Sequence, residues 1–205
     1  YFQIDKKKEN IRMSSSVKNS IETKNLHIGY QQKKSVLTIQ KNINIQLYKG
    51  EFVGILGKNG IGKSTLLRTL TGVQDAISGE VFIQGINIQS HSLKELSSLI
   101  SLVLTERLPE SQLTVYELVA LGRQPYTNWI GRLEKKDIEK INWALDQTET
   151  LSLANRHFNE LSDGQLQRVL IARALAQDTQ MIMLDEPTAH LDMHHTIKIF
   201  KLLKK

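Results

Sequence analysis

The stretch Gly57-Lys58-Asn59-Gly60-Ile61-Gly62-Lys63-Ser64, followed by Thr65, decides how the rest of this chain is read. It fits the pattern G-x-x-x-x-G-K-[ST], in which each fixed position answers a demand of polyphosphate chemistry. Gly57, Gly60 and Gly62 permit a tight turn whose backbone N–H groups come close to phosphate oxygens. Lys63 brings a mobile positive charge to the outer phosphates, and the Ser64 hydroxyl is a ligand for Mg²⁺. Upstream, EFVGIL (Glu51 to Leu56) reads as a buried strand; downstream, TLLRTL (Thr65 to Leu70) reads as the opening turns of a helix. A helix N-terminus adds its own positive field for an anion. Strand, glycine loop and helix in that order predict an α/β protein that binds ATP with Mg²⁺.

Further along, MIML (Met181 to Leu184) is a short continuous apolar run, as expected of a strand buried in a parallel sheet. It ends in Asp185 and Glu186. Carboxylates at the carboxyl end of a central strand stand where ligands bind in open α/β sheets. Asp185 is therefore a candidate Mg²⁺ ligand and Glu186 a candidate general base for an attacking water. About twenty residues earlier comes LSDGQ: Leu161, Ser162, Asp163, Gly164 and Gln165. Ser162 and Gln165 form S-x-x-Q, the signature of a capped helix start. Such a start also offers a hydroxyl and free N–H groups to a phosphate supplied from elsewhere.

Between these motifs the pattern is strand-like from Ser20 to Leu56, and ISGEVFIQGINI (Ile77 to Ile88) reads as a β-hairpin. The middle of the chain turns helical. TVYELVALG carries a capping box at Thr114 and Glu117 and a terminating Gly122. EKKDIEKINWALDQ places Ile138, Ile141 and Leu145 at helical spacing. No run approaches the length of a membrane span. There is no cysteine, which excludes a disulfide scaffold and a thiol nucleophile. The net charge is +6, but half of that excess sits in the first twenty residues, on Lys6, Lys7, Lys8, Arg12 and Lys18 against Asp5 and Glu9. That polar tail predicts a disordered or tag-like arm over residues 1–18 rather than a nucleic-acid surface.

In this order, GKNGIGKS, LSDGQ, MIMLDE and AHLD (Ala189 to Asp192) resemble the nucleotide-binding subunits of ABC transporters, over residues 20–205. The resemblance implies a P-loop NTPase of RecA-like core over residues 19–205. An N-terminal antiparallel β subdomain and an inserted helical subdomain at about 95–160 complete it. Two copies would pair head to tail, so that LSDGQ of one faces ATP on GKNGIGKS of the other, with Asp192 at the seam. Tyr30 matches the family's aromatic that stacks on adenine. The stretch LVALGRQPYTNWIGRLEKKD (Leu118 to Asp137) is similar to the ATPases of importers for iron–siderophore, haem and cobalamin. The implied function is ATP hydrolysis that powers such an importer, from the cytoplasmic face of the plasma (inner) membrane. The implied partners are integral permease subunits and, indirectly, a substrate-binding protein.

Two departures stand out. The family's usual glutamine after the strand entering the helical subdomain is replaced in ISLVLTER by Thr105 or Glu106, which become candidate metal-site residues. The family's switch histidine lies on a strand beyond the AHLD helix, so the chain, ending at Lys205, is expected to be truncated at its carboxyl end. Two other readings fit the same residues: a soluble, non-transport ATPase of this family, and a nucleotide-binding module with little turnover.

Overall fold

The computed structural model describes residues 3–7, 19–32, 35–105, 108–188 and 191–203. The chain divides into two compact units, Tyr1–Leu96 and Ser97–Lys205.

The first unit is built around one long strand, β2 (Asn19–Gln32). It pairs antiparallel with β3 (Ser35–Ile43), β4 (Gln46–Tyr48) and β6 (Ser78–Ile83), and β7 (Ile86–Asn87) extends the sheet beyond β6. Ile21 and Thr23 are buried at odd positions of β2, whereas Leu26 and Ile28 are buried at even ones. A one-residue slip of this kind would turn every later side chain to the wrong face. The strand absorbs it at Asn25, whose φ is +47°, where the pairing with β6 shifts register between Lys24 and His27. The β6–β7 hairpin forms as the sequence predicts, with Gln84-Gly85 as its two-residue turn.

Strand β5 (Phe52–Leu56) pairs antiparallel with β1 (Gln3–Lys7), Ile55 opposite Ile4. Those five residues fall in the arm expected to be unstructured and form a strand instead; residues 8–18 lie outside the described residues. Helix α1 (Lys63–Leu70) starts two residues earlier than its apolar pattern suggests. It buries Leu66, Leu67 and Leu70, each contributing about 1.5–3 kcal/mol of apolar transfer.

In the second unit, β8 (Ile100–Val103) and β9 (Met181–Leu184) run parallel, with Ile100 opposite Met181 and Val103 opposite Leu184. Helix α2 (Leu93–Leu99) leads into β8. Helices α3 (Val115–Ala120), α4 (Lys135–Gln147) and α5 (Asp163–Ala176) share one core that includes Val119, Ile141, Leu145, Val169 and Ile171. Helix α6 (Met193–Leu203) adds Ile199 to it. The span 95–160, expected to be helical, therefore opens in α2 and contains strand β8, and its helices α3 and α4 pack onto α5.

Two local expectations change here. Gly122 does not end a helix: after α3 the chain tightens into 3₁₀ geometry from Leu121 to Tyr126 and passes straight through Gly122 and Pro125. Glycine is needed there for contact, since a Cβ would stand 2.4 Å from the Arg173 carbonyl oxygen of α5. On α4, Ile141 and Leu145 are buried as predicted, but Ile138 is 42% exposed and the neighbouring Asp137 only 1%. The buried carboxylate has a dedicated partner in Arg123.

Candidate functional site

The phosphate loop lies between β5 and α1. Gly62, at φ +102°, occupies the N-cap of α1, a backbone conformation that costs glycine nothing and an L-residue one or two kcal/mol. The Leu66 amide closes the first helical bond onto the Gly62 carbonyl at 2.9 Å. Lys63 folds back over the loop, its Nζ donating to the Gly57 carbonyl at 2.9 Å and the Lys58 carbonyl at 3.2 Å. The ammonium thus sits over the loop that would receive phosphates, held by two neutral acceptors. Asn59 and Gly60 are exposed, while Ile61 and Ser64 are half-buried.

Tyr30, near the end of β2, meets this helix: its hydroxyl shares a 3.2 Å hydrogen bond with Thr65 Oγ1. Thirty-five residues separate the two in sequence, and the ring remains 40% exposed. Tyr30 also borders an open cavity of about 360 Å³ whose wall carries Gln31, Arg68 and Asp75, a size suited to a small molecule.

In the second unit, Asp185 follows β9 and its amide donates to the Val103 carbonyl at 2.9 Å, which extends the β8–β9 pairing by one residue. The side chain is 3% exposed. Thr105 Oγ1 donates to Asp185 Oδ2 at 3.4 Å, and no cation pairs with this carboxylate among the described residues. A buried carboxylate with only a hydroxyl beside it is costly unless a cation is present. Its hard oxygens suit Mg²⁺, which takes one or two protein oxygens and completes its shell with water and phosphate. Of the two candidates replacing the family's glutamine, Thr105 reaches Asp185; Glu106 lies outside the described residues. Glu186 is exposed and its φ is +45°, a left-handed conformation rare for a residue with a Cβ.

LSDGQ forms the capped helix start that its pattern announces. Ser162 Oγ accepts from the Gln165 amide at 3.3 Å, and Gln165 Oε1 accepts from the Ser162 amide at 3.0 Å. That leaves the hydroxyl proton uncommitted among the described contacts. Leu161 is half-buried against the core, Asp163 opens α5, and Gly164 occupies its first turn.

Asp192 stands immediately before α6. Its Oδ1 accepts from the His195 amide at 2.9 Å, and its Oδ2 meets His195 Nδ1 at 2.8 Å. These bonds from His195 hold its carboxyl below the usual carboxylate range. The preceding Ala189 and His190 lie outside the described residues. Sequence reasoning left His195 without a role; the spacing Asp192-x-x-His195, an N-cap with a partner three residues on, was the available signal. Glu149, which faces the same histidine, carried no signal at all.

The GRQPY segment also acquires a physical meaning. Arg123 Nε donates to Asp137 Oδ1 at 2.9 Å and Nη1 to the Ala176 carbonyl at 2.8 Å, while the guanidinium lies 4.1 Å from the Tyr126 ring centre. The segment is a staple between the 3₁₀ turn, α4 and the end of α5.

Residues 40–189 match the family described as ABC transporter. Over 189 residues the chain is 40% identical to the iron(3+)-hydroxamate import ATP-binding protein FhuC of Bacillus subtilis strain 168, covering 91% of this chain and 68% of that protein. It is 38% identical over 180 residues to the ferric enterobactin transport ATP-binding protein FepC of Escherichia coli K12, with 88% and 65% covered. The chain thus spans about two thirds of the length of these curated relatives. Among solved structures it matches a metal-chelate type ABC transporter in an inward-facing conformation, with TM-score 0.70 and 31% identity over 91% of this chain and 68% of that one. A dimeric post-hydrolysis state of the ATP-binding cassette MJ0796 with ADP and Pi gives TM-score 0.76 and 31% identity, over 89% and 81%.

Proposed function

Because this chain belongs to the ABC transporter family, we propose that it is the ATP-binding and ATP-hydrolysing subunit of an importer whose cargo is an iron–siderophore, haem or cobalamin-type chelate. What carries the nucleotide part is the loop between β5 and α1, where Lys63 is held by two backbone carbonyls that a polyphosphate would replace. The chelate class rests on the likeness to the hydroxamate and enterobactin proteins and to a metal-chelate type transporter.

In this reading Gly57 to Thr65 wrap the phosphates and Tyr30 stacks on adenine. Ser64 and Asp185 are the oxygen ligands that would each serve Mg²⁺, and the ion would neutralise charge developing on the transferred phosphoryl group. Glu186 orients and deprotonates the attacking water. The Ser162 helix start of a second copy closes over the outer phosphate and contributes fixed N–H dipoles to the transition state. Asp192 lies at the seam of that pair. Integral permease subunits hold the pair at the inner membrane face; among the described residues no helix is long and apolar enough to cross a membrane.

The test is to measure ATP binding and turnover of the full-length protein, alone and with the polytopic membrane protein that co-purifies with it. The expected outcome is Mg²⁺-dependent ATP binding, turnover that rises more than linearly with protein concentration, and further stimulation by the membrane partner. A folded protein that binds no ATP would overturn the reading.

A further inference from the structure

We infer that His195 is a positioning residue for Asp192, and that Glu149 is its counterpart, so that the pair ties the Asp192 turn to the carboxyl end of α4. The inference rests on the proposed place of Asp192 at the seam of an ATP-hydrolysing dimer.

The geometry is specific on the Asp192 side. Both carboxylate oxygens are engaged by one residue, Oδ1 by the His195 amide and Oδ2 by its ring Nδ1, at 2.9 and 2.8 Å. The Asp192 carbonyl also receives the Thr196 amide at 3.0 Å. The position of the imidazole therefore sets the rotamer of Asp192.

The other ring nitrogen, Nε2, stands 3.7 Å from Glu149 Oε2. Glu149 is itself held from three elements. It lies just past α4 with φ +55°, where a helix ordinarily ends in glycine or asparagine. Lys198, one turn along α6 from His195, bonds its Oε1. Arg168 of α5 donates to the carbonyls of Thr148 at 3.4 Å and Glu149 at 3.2 Å. A side chain kept at a strained left-handed position is a pointer to function; here the one kept is a carboxylate aimed at a histidine. Through Arg168 the same link reaches α5, the helix that Ser162 caps.

The groups facing the ring fix its chemistry. Asp192 and Glu149 stand on either side of it; the His194 ring lies edge-on with centres 5.8 Å apart; Lys198 and Arg168 stand beyond Glu149. A neutral imidazole donates its Nδ1–H to Asp192 and turns a lone pair on Nε2 toward a carboxylate. A protonated one donates to Asp192 and faces Glu149 as an ion pair across 3.7 Å. The ion pair with Glu149 therefore exists only in the imidazolium form.

The experiment compares full-length wild type with His195→Asn and Glu149→Gly, and uses His194→Gln as the neighbouring control. Turnover and ATP affinity are read from about pH 6 to 8, the range in which histidine titrates. Asparagine places an amide N–H where the imidazole Nδ1 stands and does not titrate; glycine removes the carboxylate and suits the left-handed turn, so the fold is kept. Both are expected to lower kcat about fivefold and to flatten its pH dependence, with ATP affinity within about twofold of wild type. His194→Gln is expected to leave all three unchanged. Wild-type pH profiles in both variants would overturn the inference. So would equal losses of kcat and ATP affinity, or the same flattening in His194→Gln. A wild-type protein that binds no ATP would instead remove the importer reading on which the inference rests.

Discussion

Arg123 and Asp137 meet inside the second unit, Nε and Nη2 both 2.9 Å from a single carboxylate oxygen, with 6% and 1% of their surfaces exposed. The other oxygen accepts the Glu134 amide at 2.9 Å, so neither group is left with an unmet demand. Asp137→Ala removes the partner and strands a buried guanidinium, an expected loss of about 3–5 kcal/mol. Urea unfolding measures it; a loss below about 1 kcal/mol, the scale of exposed pairs, would contradict the buried role.

The same pair predicts a pH dependence. Burial pushes the Asp137 carboxyl up, but the Glu134 N–H and the Arg123 guanidinium outweigh it and hold the group below its ordinary value. A depressed carboxylate adds stability above its unfolded value, about pH 4, and that stability is lost as the pH falls through the folded value. Wild type should therefore lose stability in acid over a range where Asp137→Asn does not. Parallel acid titrations of the two would show the pair to be electrostatically silent.

Glu186 sits at φ +45°, which no glycine-like freedom eases. Glu186→Gln and Glu186→Gly should each lower ATP turnover at least ~100-fold, the scale for loss of a general base. Glycine relieves left-handed strain but adds unfolded-state freedom, so stability should stay within about 1 kcal/mol. ATP binding should persist in both. Undiminished turnover in the glutamine variant would remove Glu186 from the chemistry.

Tyr30 offers a ring and a hydroxyl, and two variants separate them. Tyr30→Ala should weaken ATP binding by about 1–3 kcal/mol, the worth of stacking one base on an aromatic. Tyr30→Phe keeps the ring and gives up only the bond to Thr65, so its affinity should stay within about threefold, the cost of one neutral hydrogen bond. If phenylalanine is as damaging as alanine, the hydroxyl and not the ring is what matters.

Gly122→Ala places a methyl group 2.4 Å from the Arg173 carbonyl oxygen. Backbone on both sides leaves little to yield, and the expected cost is about 1–3 kcal/mol in the midpoint of thermal or urea unfolding. A neutral substitution would mean that α3 and α5 can move apart.

Much of the local geometry was legible in advance. The glycine loop, the two capping boxes at Thr114 and Ser162, the β6–β7 turn and the apolar run before Asp185 all formed where their residues indicated. Each is written in a short contiguous stretch; the loop, the caps and the turn meet their backbone requirements within it, and the apolar run meets its own against β8. The misses have a different character. Ile138 fits the apolar face of α4 by periodicity, yet the buried position belongs to Asp137, because a partner fourteen residues earlier makes a charge tolerable there. Gly122 looked like a helix stop because glycine commonly is one, whereas its actual constraint comes from a helix fifty residues downstream.

The sequence by itself determined that this protein has a glycine loop opening a helix, an acidic strand end and a capped helix start at Ser162, since these are local demands of turn geometry and helix termini. Only the tertiary structure decided that Thr105 stands by Asp185 across eighty residues, that Tyr30 meets Thr65, and that Glu149 faces His195. No periodicity encodes such pairs. They arise when strands and helices close over a common core, and packing rather than local propensity selects which polar groups end up within bonding distance.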